Sequence, residues 1–169
     1  VLFVGRLARE KNVESLIKAA RDLPGISFRI AGDGPMADEL RETAEGVENV
    51  AFLGWLGREE LVQALDESEM LVLPSRIESF GTVAIEAMAR ARMVMVSEHC
   101  GITEWPQLRP GVEVYYDDEQ LSDALRRYAD MPRSERNERR RTARQHCQSF
   151  AERTMDEWRS GLLDASSSK

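Results

Sequence analysis

A doubly wound, Rossmann-like α/β domain, with a parallel sheet of about six strands and helices on both faces, is the fold class this sequence predicts. Three observations carry it. Short apolar runs rich in Val, Ile and Phe alternate with longer stretches of helical period, the pattern of right-handed parallel crossovers. Glycine and proline fall between the runs rather than inside them. The 169 residues, 42% of them hydrophobic, suffice for one core of ordinary size.

The elements follow in order. Leu2-Phe3-Val4 reads as a buried strand, and Val13 to Asp22 as a helix that Asn12 caps and Pro24-Gly25 stops. A second strand is expected over Ile26 to Ala31, a helix over Met36 to Ala44, a third strand over Val50 to Phe52 and a helix over Glu59 to Glu67. Met70 to Leu73 is the fourth strand, ended by Pro74. The helix from Thr82 to Ala91 is apolar on most sides and so should be deeply buried. Strands at Val94 to Val96 and Val112 to Tyr115 precede a helix over Leu121 to Ala129. Beyond Pro132, six arginines between Arg133 and Arg144 face only Glu135 and Glu138. That stretch reads as a solvated helix laced by pairs with those acids, or as a patch for anionic lipid. Met155, Trp158, Leu162 and Leu163 recur at near-helical spacing from Phe150 to Leu163, predicting a terminal amphipathic helix. Residues 1–164 thus form one domain, with C-terminal helices over 133–164 and a small, polar tail, 165–169, expected to be disordered.

Composition narrows the function. A net charge of -7 argues against a general nucleic-acid or anionic-membrane binder and leaves room for a nucleotide-sized ligand. No run reaches the length a membrane span needs, no leader opens the chain, and two cysteines make no disulfide framework, so a cytoplasmic protein is expected. Val1 is not a start methionine and already reads as strand, as in a chain cut from something larger.

In an open parallel sheet, ligands bind outside the carboxyl ends of the strands. After the first strand, Gly5 allows a sharp turn while Arg6 and Lys11 flank the start of the next helix. This is a phosphate clamp, or else two solvated cations. After the second strand, Gly32-Asp33-Gly34-Pro35-Met36-Ala37 fits a dinucleotide-binding pattern. It lacks the acid expected near the end of the next strand, where Phe52-Leu53-Gly54 stands, and Pro35 removes one N–H. A plain turn and helix start explains it better. The most specific segment runs from Pro74 to Met88. Glu78 lies in the loop and Glu86 inside the following helix, with the N–H groups of Gly81 and Thr82 between them at a helix N-terminus. Acid, N–H cradle and acid match a ligand that is polar, then anionic, then polar: a sugar, a diphosphate and a ribose. The plainer reading makes Glu78 a helix-entry acid and pairs Glu86 with a core arginine.

Gly5-Arg6-Leu7 with Lys11-Asn12, then Gly32-Asp33-Gly34-Pro35, Phe52-Leu53-Gly54, and Glu78 to Glu86 with Ala87-Met88 together resemble the C-terminal nucleotide-sugar-binding domain of the retaining GT-B glycosyltransferases of group 1, or family 4. The likeness runs in register from Val1 to about Tyr128. It implies half of a GT-B fold whose acceptor-binding N-terminal domain lies elsewhere, and a UDP-, GDP- or ADP-sugar donor with no cofactor or metal. It implies that Glu78 contacts the transferred sugar, Glu86 holds the ribose, and Arg6 and Lys11 neutralise the diphosphate beside Gly81 and Thr82. Phe80 and Gly5 join the same binding set, and Arg58 is carried over as a planar partner for the base. Two departures stand out. Ala91-Arg92-Met93 replaces the family's small residue, Gly and Pro, and Cys100-Gly101-Ile102-Thr103-Glu104 keeps one Gly of a usual pair. These put the sugar preference in question and leave a non-catalytic nucleotide-sugar-binding module as the alternative, beside an epimerase or phosphorylase of the same architecture. His99-Cys100 and His146-Cys147 lack zinc-ligand spacing and read as loop or surface residues, so no metal is expected.

Overall fold

The computed structural model describes residues 1–116 and 120–166, with side chains through residue 155. Six parallel strands form one sheet: β1 (Leu2–Val4), β2 (Phe28–Ala31), β3 (Val50–Gly54), β4 (Met70–Leu73), β5 (Met93–Ser97) and β6 (Glu113–Tyr115), in the order β3-β2-β1-β4-β5-β6. Strand order reverses between β1 and β4, where the chain leaves in opposite directions along the sheet. Such a switch point opens a crevice at the carboxyl ends.

Alternation along the strands explains the two layers of helices. Phe3, Ile30, Val72 and Met95 point to one face, where they pack with α1 (Val13–Asp22), α2 (Ala37–Thr43) and α5 (Leu121–Ala129). Leu2, Leu71, Leu73, Val94 and Val96 point to the other, against α3 (Arg58–Asp66), α4 (Thr82–Ala89) and α6 (Arg133–Ser166). Strands buried on both faces carry apolar residues at consecutive positions, which is why Met70–Leu73 and Met93–Ser97 are buried throughout.

Several expectations are corrected. Asn12 precedes α1 but its side chain does not cap it: the residue is left-handed, at φ 52°, and its Oδ1 accepts from Arg76 Nη2 at 3.2 Å instead. The second strand begins at Phe28, since Ile26 N–H closes a turn onto Leu23. Residues 133–164 fall in one continuous helix, not several. The arginine-rich part of α6 is docked rather than simply solvated. Ala143 and Cys147 are buried, Arg136 pairs with Glu69, and Arg139 pairs with both Glu113 and Glu135. Cys100 is buried too, so neither cysteine is a surface residue. The side chains of Trp158, Leu162 and Leu163, and residues 167–169 of the tail, lie outside the described residues. Among the described residues no helix is long and apolar enough to cross a membrane.

Candidate functional site

Three loops meet at the carboxyl end of β1 and β4. The first, Gly5 to Asn12, is held from below by the loop after β2: Gly5 N–H donates to Ala31 O at 3.0 Å, Leu7 N–H to Asp33 O at 2.9 Å, and Met36 N–H to Leu7 O at 3.0 Å. Gly32, at φ +133°, lies so close that a Cβ there would sit 1.9 Å from Gly5 O. The Gly32-Asp33-Gly34 glycines therefore serve backbone packing, which supports the plain turn over a dinucleotide cradle. What they secure is the position of Arg6 and Lys11. Arg6 is exposed and has no ion pair among the described residues, while Lys11 ends a 3-10 turn over Arg9–Lys11 and turns inward.

The second loop, Pro74 to Gly81, is tied to the first and to the third, which follows β5 and carries His99, Cys100 and Gly101. Arg76 N–H donates to Glu10 O at 2.7 Å. On the other side, Glu78 N–H donates to His99 O at 3.3 Å and Gly101 N–H to Glu78 O at 2.7 Å, a short parallel bridge between Glu78 and Cys100. A Cβ on Gly101 would meet Ser79 O at 1.9 Å, so the retained glycine is a steric requirement of this bridge. Thus fixed, Glu78 faces Lys11: Nζ and Oε2 are 2.5 Å apart, with both side chains 19% exposed. Gly81 is left-handed, at φ 80°, and α4 begins at Thr82. The first N–H groups of that helix have no partner within it and carry its positive dipole end. They follow Glu78 closely in the chain, and a Cβ on Gly81 would lie 3.6 Å from Glu78 Cγ.

Glu86 lies one turn into α4. Its Oε1 accepts from Arg58 Nη1 at 2.8 Å, across from the start of α3, where Glu60 steadies the entry by accepting from Gly57 N–H at 2.7 Å. Arg58 is 71% exposed and covers a carboxylate that is 34% exposed. The second oxygen, Oε2, is buried and has no hydrogen-bond partner among the described residues. A carboxylate oxygen without a partner is costly and calls for a donor. The helix is less buried than its sequence suggests: Ala84, Ala87 and Met88 are buried, whereas Val83, Ile85 and Glu86 are only half-buried, because α4 turns its Glu86 side toward α3 and solvent.

The structure thus brings Lys11, Glu78, Phe80, Gly81 and Thr82 into one neighbourhood, with Glu86 following along α4 and Arg58 reaching it from the start of α3. Both acids are engaged by a cation, and the plainer reading is corrected in its partner: Glu86 pairs with the surface residue Arg58 rather than a core arginine. Cavities of about 280 and 330 Å³ lie at the opposite, amino end of the strands, lined by residues such as Glu69 and Tyr128 in one and Glu113 and Arg139 in the other. A smaller one of about 190 Å³ adjoins the site behind Ser75 and Arg76. Cys100, beneath Gly81, has its thiol pushed above its ordinary value by burial, against the opposing hydrogen bond from Ile102 N–H and with Glu78 adding to the rise. Sequence reasoning did not find Arg76, Trp105 or Phe150, which support the loop. Trp105 and Phe150 lie 24 and more residues past Gly81, and only the fold brings them near it.

The sequence family described as Glycosyl transferases group 1 matches residues 1–146. Alpha-D-kanosaminyltransferase of Streptomyces kanamyceticus is 31% identical over 147 residues, covering 74% of this chain and 38% of that protein. Among solved structures, sucrose-phosphate synthase of Thermosynechococcus elongatus superposes with a TM-score of 0.78 at 25% identity, over 97% of this chain and 45% of that one. Anabaena Alr3699/HepE, solved with UDP-glucose, gives 0.76 at 20% identity, over 97% of this chain and 48% of the other. The chain therefore spans less than half the length of each of these proteins. With most of its length matched and the same six-stranded Rossmann-like sheet, the chain belongs to the group 1 glycosyl transferases.

Proposed function

We propose that this chain is the C-terminal, donor-binding half of a retaining GT-B glycosyltransferase, and that it holds a nucleoside-diphosphate sugar for transfer to an acceptor. The observation that carries the reading is the Lys11–Glu78 pair beside the N-terminus of α4, with the unpartnered Glu86 Oε2 one turn further on. Pyrophosphate would lie against Lys11, the free Arg6 and the first N–H groups of α4, where cations and dipole favour growing negative charge. As the bond from sugar to phosphate lengthens, these groups stabilise the departing diphosphate without reorganising. No metal is needed for that role. Glu78 positions the sugar, Glu86 accepts from the ribose hydroxyls, and Arg58, displaced from Glu86, covers the base. Retention follows if the leaving phosphate takes the acceptor's proton on the same face. Acceptor-binding residues belong, on this reading, to an N-terminal domain of a longer cytoplasmic protein. The exposed Arg133, Arg141 and Arg144 support a peripheral membrane contact of that protein.

Calorimetric titration with UDP, GDP and ADP tests the reading. UDP is the first choice because Alr3699/HepE was solved with it. At least one diphosphate should bind, Lys11→Ala should weaken it roughly tenfold or more, and Glu86→Gln should weaken it less. The chain alone should transfer little or no sugar. The engagement of both acids by cations favours a second reading, a module that keeps nucleotide binding without transfer. Product analysis of the full-length protein separates the two. If none of the three diphosphates binds, both readings fall.

A further inference from the structure

The turn before α4 is buttressed by aromatic residues that lie outside the site. Phe80 meets Trp105 edge to face, with ring centroids 5.5 Å apart at 68°, and Trp105 meets Phe150 at 5.4 Å and 90°. Both are within the favoured geometry of aromatic pairs. Phe150 lies on α6, which also grips α4 directly: Cys147 Sγ reaches Ile85 O at 3.6 Å, and Gly111 brings its backbone against Ala143 and Met88, where a Cβ would stand 3.0 Å from Ala143 Cα. From the other side, Cys100 Sγ donates to Phe80 O at 3.7 Å and would lie 3.2 Å from a Cβ on Gly81. The segment Phe80–Gly81–Thr82 is thus flanked by side chains from residues 100, 105 and, through Trp105, 150.

We propose that Trp105 and Phe150 are positioning residues, an aromatic relay by which α6 sets the conformation of the Phe80–Thr82 turn and so the aim of its N–H groups at the donor's diphosphate. The inference rests on the donor-site reading for its consequence but not for its existence. Trp105 is 43% exposed, while Phe80 and Phe150 are half-buried and pack against the edge of the core on the α4 and α6 side of the sheet. A displaced phosphate cradle loses affinity even when every donor group is retained.

Hydrogen exchange of the full chain without nucleotide gives the first test. Phe150→Ala should speed exchange about tenfold at the hydrogen-bonded amides that bracket the turn, Glu78, Ala84 and Gly101, while leaving β1 and β2 unchanged, and Phe150→Tyr should restore it. Trp105→Leu should act in the same direction, with Trp105→Phe close to wild type. UDP titration is the second: Phe150→Ala should weaken binding about threefold to tenfold with the sheet's exchange intact. Unchanged exchange at those amides in both truncation variants would overturn the relay, as would faster exchange spread evenly over the sheet. If exchange responds as expected but wild-type protein binds no diphosphate, the relay stands and the donor-site reading fails.

Discussion

The loop after β2 and the loop after β4 leave the same edge of the sheet, and each carries glycine at the start of a helix, yet the neighbours of those glycines differ. Gly32 faces backbone: Gly5 O would lie 1.9 Å from its Cβ, and Leu7 O 2.5 Å from that of Gly34. Gly81 faces the ends of side chains, Leu73 Cδ1 at 3.1 Å and Cys100 Sγ at 3.2 Å, while its own left-handed backbone delivers the chain into α4. One loop is a clasp that fixes another loop. The other is a platform at which free N–H groups, a lysine and two acids gather. A glycine pattern becomes informative only once it is known whether backbone or the ends of side chains lie above it.

The contrast is sharpest in paired glycine replacements. Gly32→Ala should cost about 3 kcal/mol or more, because a carbonyl cannot give way as a flexible side chain can. Gly81→Ala should cost only about 1 kcal/mol, mostly from the left-handed backbone, yet weaken diphosphate binding more than its stability loss suggests. Urea melts followed by UDP titration check both. Equal stability losses at the two positions would erase the distinction between clasp and platform.

Within the platform, Glu78 competes with a diphosphate for Lys11. Glu78→Gln should therefore tighten UDP about threefold, since an ion pair of this partly buried kind is worth on the order of 1 kcal/mol, while abolishing any transfer by the full-length enzyme. Weaker UDP binding in this variant would mean that Lys11 depends on Glu78 for its orientation more than it is restrained by it.

Alkali should loosen the platform's floor. Burial holds the Cys100 thiol above its ordinary 9.0, so as pH rises past 9.0 the unfolded chain loses that proton first. The unfolded state then binds fewer protons than the folded one, and stability falls with pH by up to about 1.4 kcal/mol per unit until the folded-state value is passed. Cys147 is shifted the same way by burial and adds to the limb. Cys100→Ala should flatten part of that fall in melts from pH 8 to 10.5.

The parts that could be read in advance were those determined by local period. Met70–Leu73 declares itself by consecutive apolar residues and a following proline, and the Glu78 to Glu86 spacing by chemistry along one segment. What escaped was set by contacts between distant segments. Asn12 looks like a cap, but Arg76, 64 residues away, takes its side chain. Glu86 reads as a buried acid until Arg58, 28 residues earlier, closes over it. The basic stretch of α6 reads as solvated because Glu69 and Glu113, its partners at the amino ends of β4 and β6, lie far back in sequence.

Ala91 gives the smallest expected effect and bears on the same question of what a glycine position requires. It ends α4 at φ 53°, with its N–H donating to Met88 O at 2.9 Å and Arg92 N–H reaching back to Ala87 O at 2.9 Å, the hydrogen bonding of a left-handed helix stop. An alanine there carries roughly 1 kcal/mol of backbone strain. Ala91→Gly relieves it but makes the unfolded chain more flexible, an opposing term of about 0.4–1 kcal/mol. The net gain should be about 0.5 kcal/mol or less, a rise of roughly 1–2 °C in Tm for a chain of this size, with UDP affinity unchanged. If the variant instead altered UDP binding, the turn after α4 would be part of the platform, and the departure at Ala91-Arg92-Met93 would bear on the donor rather than on stability alone.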